Sequence, residues 1–158
     1  MKASNSYFST KNILNGIAFY QMTGGLLGLG LFTKLPPQLH NPSGSTWLGI
    51  GLAAALYLFS VVCGFQLLRR KPQAVNWSMV NQGLQVLSLG VAGFAYNYVA
   101  GLKLGVGLDF LASWVFKVRI SVSSFQFMLQ ADGAPSFVGI NLLALLLLYF
   151  LEKSKDSI

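Results

Sequence analysis

Four long apolar stretches dominate this chain: Ile13 to Phe32, Trp47 to Leu68, Val75 to Val99 and Pro135 to Leu151, with no carboxylate inside any of them. Crossing the hydrocarbon of a bilayer takes about 20 predominantly apolar residues, with about 17 as the lower end of the range. Each stretch therefore reads as a candidate crossing, the last being the shortest and the third the least apolar. Composition agrees, since only 9% of the 158 residues are charged, against about 25% in soluble domains. The expected fold class is a membrane all-α protein, a four-transmembrane-helix bundle with a small extracytoplasmic β element. As a single membrane domain, 1–158, it would have helices at about 13–32, 47–68, 75–99 and 135–151 and a β-rich cap at about 101–133.

Lys2 and Lys11 precede the first stretch as they would in a secretory signal. The stretch exceeds a signal core, however, and no A-x-A site follows it, so it is expected to remain attached. Cys63, the only cysteine, rules out an intramolecular disulfide and a cysteine metal cluster. The formal charge of +7 is spread over the ends of apolar segments, with no basic stripe of the kind that holds nucleic acid. In a four-span arrangement Lys2, Lys11, Arg69, Arg70, Lys71, Lys153 and Lys155 share one side, leaving Lys34, Lys103, Lys117 and Arg119 on the other. Basic residues near span ends favour the cytoplasm, which puts both termini inside, in an integral membrane protein of a bacterial inner membrane. Thr33 to Thr46, with three prolines, is then an outer loop, and RRKPQ, Arg69 to Gln73, an inner turn. GLLGLGL and GLKLGVGL look alike, but neither establishes a repeat.

From Gly101 onward the period changes to two. Leu102, Leu104, Val106 and Leu108 alternate with Lys103, Gly105, Gly107 and Asp109. Phe116, Val118, Ile120 and Val122 likewise alternate with Lys117, Arg119, Ser121 and Ser123, as half-buried strands require. The phase shifts at Ser123 and Ser124, marking a hairpin turn or a bulge. With Leu111 to Val115 as the hairpin loop, Asp109 faces Lys117, Leu108 faces Val118 and Val106 faces Ile120. Such pairs select a register but do not stabilise a lone hairpin, so the apolar face needs a cover: the membrane surface, the outer helix ends or another subunit.

Within the third stretch Ser78, Asn81, Gln82, Gln85 and Ser88 recur every three or four residues and would share one helix face. Lipid offers such groups no partners, and an unpaired amide costs about 2 to 7 kcal/mol to bury. Gln21, Ser60, Asn81 with Gln82, and Asn141 would lie at similar depths. Gln21 also shares a face with Gly24, Gly25 and Gly28, small residues that permit close helix contact. One reading is a polar layer that joins the helices. The other is a hydrated pathway or solute cavity, which four short helices would have to build from several copies.

Catalytic constellations are absent from the pattern. His40 stands alone in the first loop, and Asp109, Asp132, Glu152 and Asp156 all fall outside the apolar stretches. Proton-coupled transport, metal-assisted hydrolysis and serine nucleophilic catalysis each lack their groups, and no phosphate-cradling loop is present. Trp47, Trp77, Trp114, Tyr96 and Tyr98 suit interfacial anchoring. Asp109, Lys117 and Arg119 form a strand face that is a candidate partner contact. The sequence thus points to a non-catalytic membrane protein without a cofactor or metal, associating with the lipid bilayer and acting as a homo-oligomer or a small subunit of a larger membrane complex. The alternative is a homo-oligomeric channel or facilitator for a small neutral or ionic solute, lined by the polar stripe.

Overall fold

The computed structural model describes residues 10–34, 44–110, 115–129 and 136–155. In chain order they form α1 (Thr10–Leu31, ending in a 3-10 turn at Phe32–Lys34), α2 (Gly44–Leu68), α3 (Ala74–Val86), β1 (Leu87–Val91), β2 (Phe94–Asp109), β3 (Val115–Met128), β4 (Phe137–Asn141) and α4 (Leu142–Ser154).

This is a mixed α/β fold with a four-stranded antiparallel sheet, which overturns the expected all-α bundle of four transmembrane helices. Among the described residues only α2 is long and apolar enough to cross a membrane, by length and composition. The expected helix at 75–99 ends at Val86, and the chain continues as strand. Leu87, Ser88, Leu89, Gly90 and Val91 alternate apolar with small residues, a strand pattern. Ala92 and Gly93 then take positive φ, 50° and 85°, and join Val91 directly to Phe94, as a two-residue hairpin turn requires. The expected helix at 135–151 begins only at Leu142, after β4, so α4 has 13 residues and extends about 20 Å, short of the hydrocarbon thickness.

The strand order is β1-β4-β2-β3, and β1 also pairs with the start of β2, so that β1, β4 and β2 close on one another. Within β2 and β3 Asp109 pairs with Val115, Val106 with Val118 and Leu104 with Ile120. The register is therefore two residues away from the expected pairing of Asp109 with Lys117. Alternation is blind to a slip of two because every side chain keeps its face; Val115 belongs to the strand rather than the loop. The phase change at Ser123 is a bulge and not a turn: Val99 pairs with Ser124 and Leu102 with Val122, leaving Ala100 and Gly101 opposite Ser123. Gly101 takes φ +114°, open to a residue without Cβ.

Two buried clusters tie the layers together. Leu14, Ile17, Leu67, Val75 and Leu151 join the four helices at one end. Ala53 and Tyr57 meet Tyr98 and Ala100 of β2 further along α1 and α2. Beyond the bulge the sheet turns one face outward: Phe116 is 64% exposed and Ile120 72%, beside Leu102, Leu104, Val118 and Val122. The opposite face carries Lys103, Asp109, Lys117, Arg119 and the small residues Gly105, Gly107 and Gly139.

Candidate functional site: a polar interior and a buried lysine

The helical part of the polar stripe lies inside the molecule. Gln21, Ser60, Ser78, Asn81 and Gln82 are fully buried, and Gln85 is 1% exposed. The network starts on α1, where the Gln21 side-chain oxygen accepts from Ser78 Oγ at 3.1 Å and its backbone carbonyl accepts from Ser60 Oγ at 3.0 Å. Asn81 Nδ2 donates to Ser60 Oγ at 3.1 Å, and Asn81 Oδ1 accepts from the Tyr98 hydroxyl at 3.2 Å. Tyr98 also reaches the Leu56 carbonyl at 2.8 Å. One chain of contacts thus runs through α1, α2, α3 and β2. Gln82 differs: neither amide atom has a partner among the described residues.

Gln85 does something the helical pattern does not announce. Its Oε1 accepts the Ala100 backbone N–H at 2.8 Å, while Nε2 donates to the Asn81 carbonyl at 3.3 Å. Ala100 belongs to the bulge, where ladder bonding fails. The neighbouring Gly101 N–H is taken by Ser123 Oγ at 3.0 Å, which itself donates to the Gly24 carbonyl at 3.0 Å. Tyr20 finishes the accounting, its hydroxyl donating to Leu102 O at 2.8 Å and accepting from Leu102 N at 3.1 Å. The amides freed by the irregularity are met by side chains from three elements, as buried backbone groups require.

Ser88 and Asn141 stand apart from the helices on which they were expected. Ser88 lies on β1, with Oγ donating to Gly139 O at 3.3 Å. Asn141 ends β4 and caps α4, Oδ1 accepting from Leu143 N at 3.2 Å and Leu104 N at 3.3 Å, and its Nδ2 has no partner among the described residues.

A second polar centre occupies the inner face of the sheet. Lys103, expected from the sequence on the outer side of the membrane, is 6% exposed. Its Nζ donates to Asn97 Oδ1 at 2.7 Å and Ser88 Oγ at 2.9 Å. Burial, with the Arg119 charge adding to it, pushes the amine down to about 8. Asp109, Lys117 and Arg119 come together as a cluster: Lys117 Nζ lies 2.8 Å from Asp109 Oδ2, and Arg119 Nη2 bonds both carboxylate oxygens at 2.5 and 2.8 Å. The hydrogen bond from Lys117, reinforced by Arg119, holds the Asp109 carboxyl below its ordinary value.

Tyr98 is a correction to the interfacial anchors, being 1% exposed, while Trp47 and Trp77 are 59% and 46% exposed. His40, Trp114 and Asp132 lie outside the described residues. Lys103, Asn97, Tyr20 and Ser123 carry central contacts that the pattern missed; the signal available was the phase shift at Ser123, which implied bulge amides in need of partners. Among the described residues no group of three or more His, Cys, Asp and Glu is placed to hold a metal ion. The chain matches no protein-family profile, no curated protein and no solved structure.

Proposed function

We propose that the chain is an integral membrane protein held by α2, that it works by assembly as a homo-oligomer or as a subunit of a membrane complex, and that it performs no catalysis. The observation that carries the proposal is an inversion of polarity. Gln21, Ser60, Ser78, Asn81, Gln82 and Asn141 are wholly buried, whereas Phe19, Leu27, Trp47, Leu58, Leu146 and Tyr149 are each roughly half exposed. A water-soluble fold of this size places amides outside and large apolar groups within. In lipid the preference reverses for groups that need hydrogen-bond partners.

The length and surroundings of α2 support the same reading. Its 25 residues extend about 37 Å, enough for the hydrocarbon of about 30 Å. Only 28% of its most apolar window is buried within the protein, whereas a core helix of a soluble domain would be mostly covered.

The sheet supports the assembly reading. Tyr98 docks on Leu56, midway along α2, so a membrane-crossing α2 draws part of the sheet to hydrocarbon depth. Lipid-exposed open sheet edges do not occur there. β3 is the last strand in the order, and its outer edge has no strand partner among the described residues. A second copy meets the need most simply, since a twofold axis can pair β3 with itself, with Phe116, Val118, Ile120 and Val122 as contact area. The polar layer serves here as a joint within each chain, because Asn81 and Gln85 spend their side-chain bonds internally.

The test is the mass of the complex extracted in mild detergent from native membrane, with co-purifying proteins identified. An oligomer or mixed complex is expected, and Ile120→Lys should reduce it to the single chain by charging the edge strand. Recovery of the wild type as a monomer, or in the aqueous fraction, contradicts the proposal. Solute flux in liposomes that Gln85→Leu alters would favour the facilitator instead.

A further inference from the structure

The inner face of the sheet holds a cation without a counter-ion among the described residues. An ammonium group has three donors. Two of those of Lys103 go to Ser88 Oγ and Asn97 Oδ1, both neutral, and the third has no acceptor among the described residues. The two acceptors are themselves anchored, Asn97 Nδ2 donating to Ser124 Oγ at 3.2 Å and Ser88 Oγ to the Gly139 carbonyl. Lys103 is thus held in a fixed place by two anchored acceptors. A buried charge kept without a paired opposite charge is costly.

The surroundings share its sign. A cavity of about 460 Å³ is lined by Lys103, Arg119, Asn97, Ser121, Ser124 and Gln126, with Phe137 at its wall. Arg119 stacks on Phe137 with its guanidinium carbon 5.2 Å from the ring centroid, and its contact with Asp109 uses only Nη2. Lys117 and Arg119 share one carboxylate, Asp109, and Lys103 has none, so the three cations on this face exceed its described carboxylates by two. Among the described residues no other charge balances them from the packed elements: β1, β4, α2 and α3 contain no charged residue, α1 has only Lys11, and α4 has Glu152 and Lys153 in its last turn, remote from Asn141.

We propose that this pocket binds a tetrahedral dianion of the phosphate class between Lys103 and Arg119, either free phosphate or the phosphomonoester headgroup of a lipid. Charge complementarity selects the dianion, and the planar guanidinium with hydroxyl and amide donors beside it matches the several oxygens of such a group. The cavity falls within the range of small-molecule sites and leaves room for part of a carrier. The lowered basicity of Lys103 is the expected companion, because an anion between the two cations would restore its proton.

The test uses the full chain purified in neutral detergent. Calorimetric titration with inorganic phosphate at pH 7, and separately with neutral micelles containing phosphatidic acid, should give saturable binding. Phosphate alone identifies a free oxyanion, phosphatidic acid alone a lipid headgroup, and both together the shared group; each supports the site. Lys103→Met should abolish binding. Arg119→Gln, altering a side chain 43% exposed and so tolerated by the fold, should weaken it about tenfold through loss of a charged donor. Sulfate, a dianion throughout, should bind more weakly as pH rises above 8 and Lys103 discharges. No binding of phosphate, sulfate or phosphatidic acid by the folded wild type, or unchanged affinity in Arg119→Gln, overturns the proposal.

Discussion

Replacing Gln85 by Met gives the sharpest test of the junction between helices and sheet. The two side chains are similar in length, so the change removes polar atoms without opening a large cavity. It deprives the Ala100 N–H of its 2.8 Å acceptor at a residue that is fully buried, and removes the weaker 3.3 Å contact to the Asn81 carbonyl. A buried donor left unpaired costs about 1–3 kcal/mol, and an ordinary hydrogen bond contributes about 1 kcal/mol. The sum, roughly 2–4 kcal/mol, corresponds to a fall in Tm of about 5–15 °C for a chain of this size. Side-chain bonds between membrane helices average only about 0.6 kcal/mol, which would shift Tm by about 2 °C. The larger figure applies here because the bulge amide has no alternative ladder partner. Thermal unfolding in detergent and hydrogen exchange at the Ala100 amide measure both halves of the argument. A Tm within about 2 °C of wild type, with Ala100 exchanging no faster, would refute it.

Two further outcomes follow from the same contacts. The Lys103 amine, lowered to about 8 in the folded chain, sits near 10.4 when unfolded. Below pH 8 both states hold the proton and the burial penalty is fully present; from pH 8 to about 10 only the unfolded chain keeps it, so stability rises with pH across that window. Unfolding from pH 7.5 to 10 should show this gain, roughly 2–3 kcal/mol, and Lys103→Met should lack it while being more stable than wild type at pH 7.5. A parallel pH profile in the variant would contradict the assignment. In α1 a Cβ at Gly24 would strike the backbone of Ala100 and Gly101, whereas one at Gly30 would meet nothing within 4 Å. Gly24→Ala should therefore destabilise by about 1–3 kcal/mol and Gly30→Ala should be neutral or slightly stabilising, as denaturant titration would measure.

The sequence carried the strand periodicity of 102–109 and 116–122 plainly, because alternation there is uninterrupted. Helix ends were harder to read. Ser88 continues the spacing of Ser78, Asn81 and Gln85, so a helical stripe looked unbroken, yet the helix had already ended at Val86. The apolar alternation of Leu87, Leu89 and Val91 lies inside a long apolar run, where hydropathy masks its period. Asn141 was similarly absorbed into an apolar stretch, although an Asn before LLALLLL is also a helix-start signal. Lys103 could not be placed inside by pattern, since a lysine alternating with leucines reads first as a wet strand face. Its amine is met by Ser88 of β1, and β4 pairs with both β1 and β2 over long sequence separations that no local period encodes. The two-residue register slip was invisible for a related reason: both registers keep every side chain on its face.

The irregularity at Ala100 and Gly101 also acts as an index mark for the long hairpin. Ser123 clasps Gly101 on one side and Gly24 on the other, so β3 is keyed to the helices at a point remote from its connecting loop. Alignment of the long hairpin is thus set from within the fold, at one serine that holds its own strand, the neighbouring strand and a helix at once.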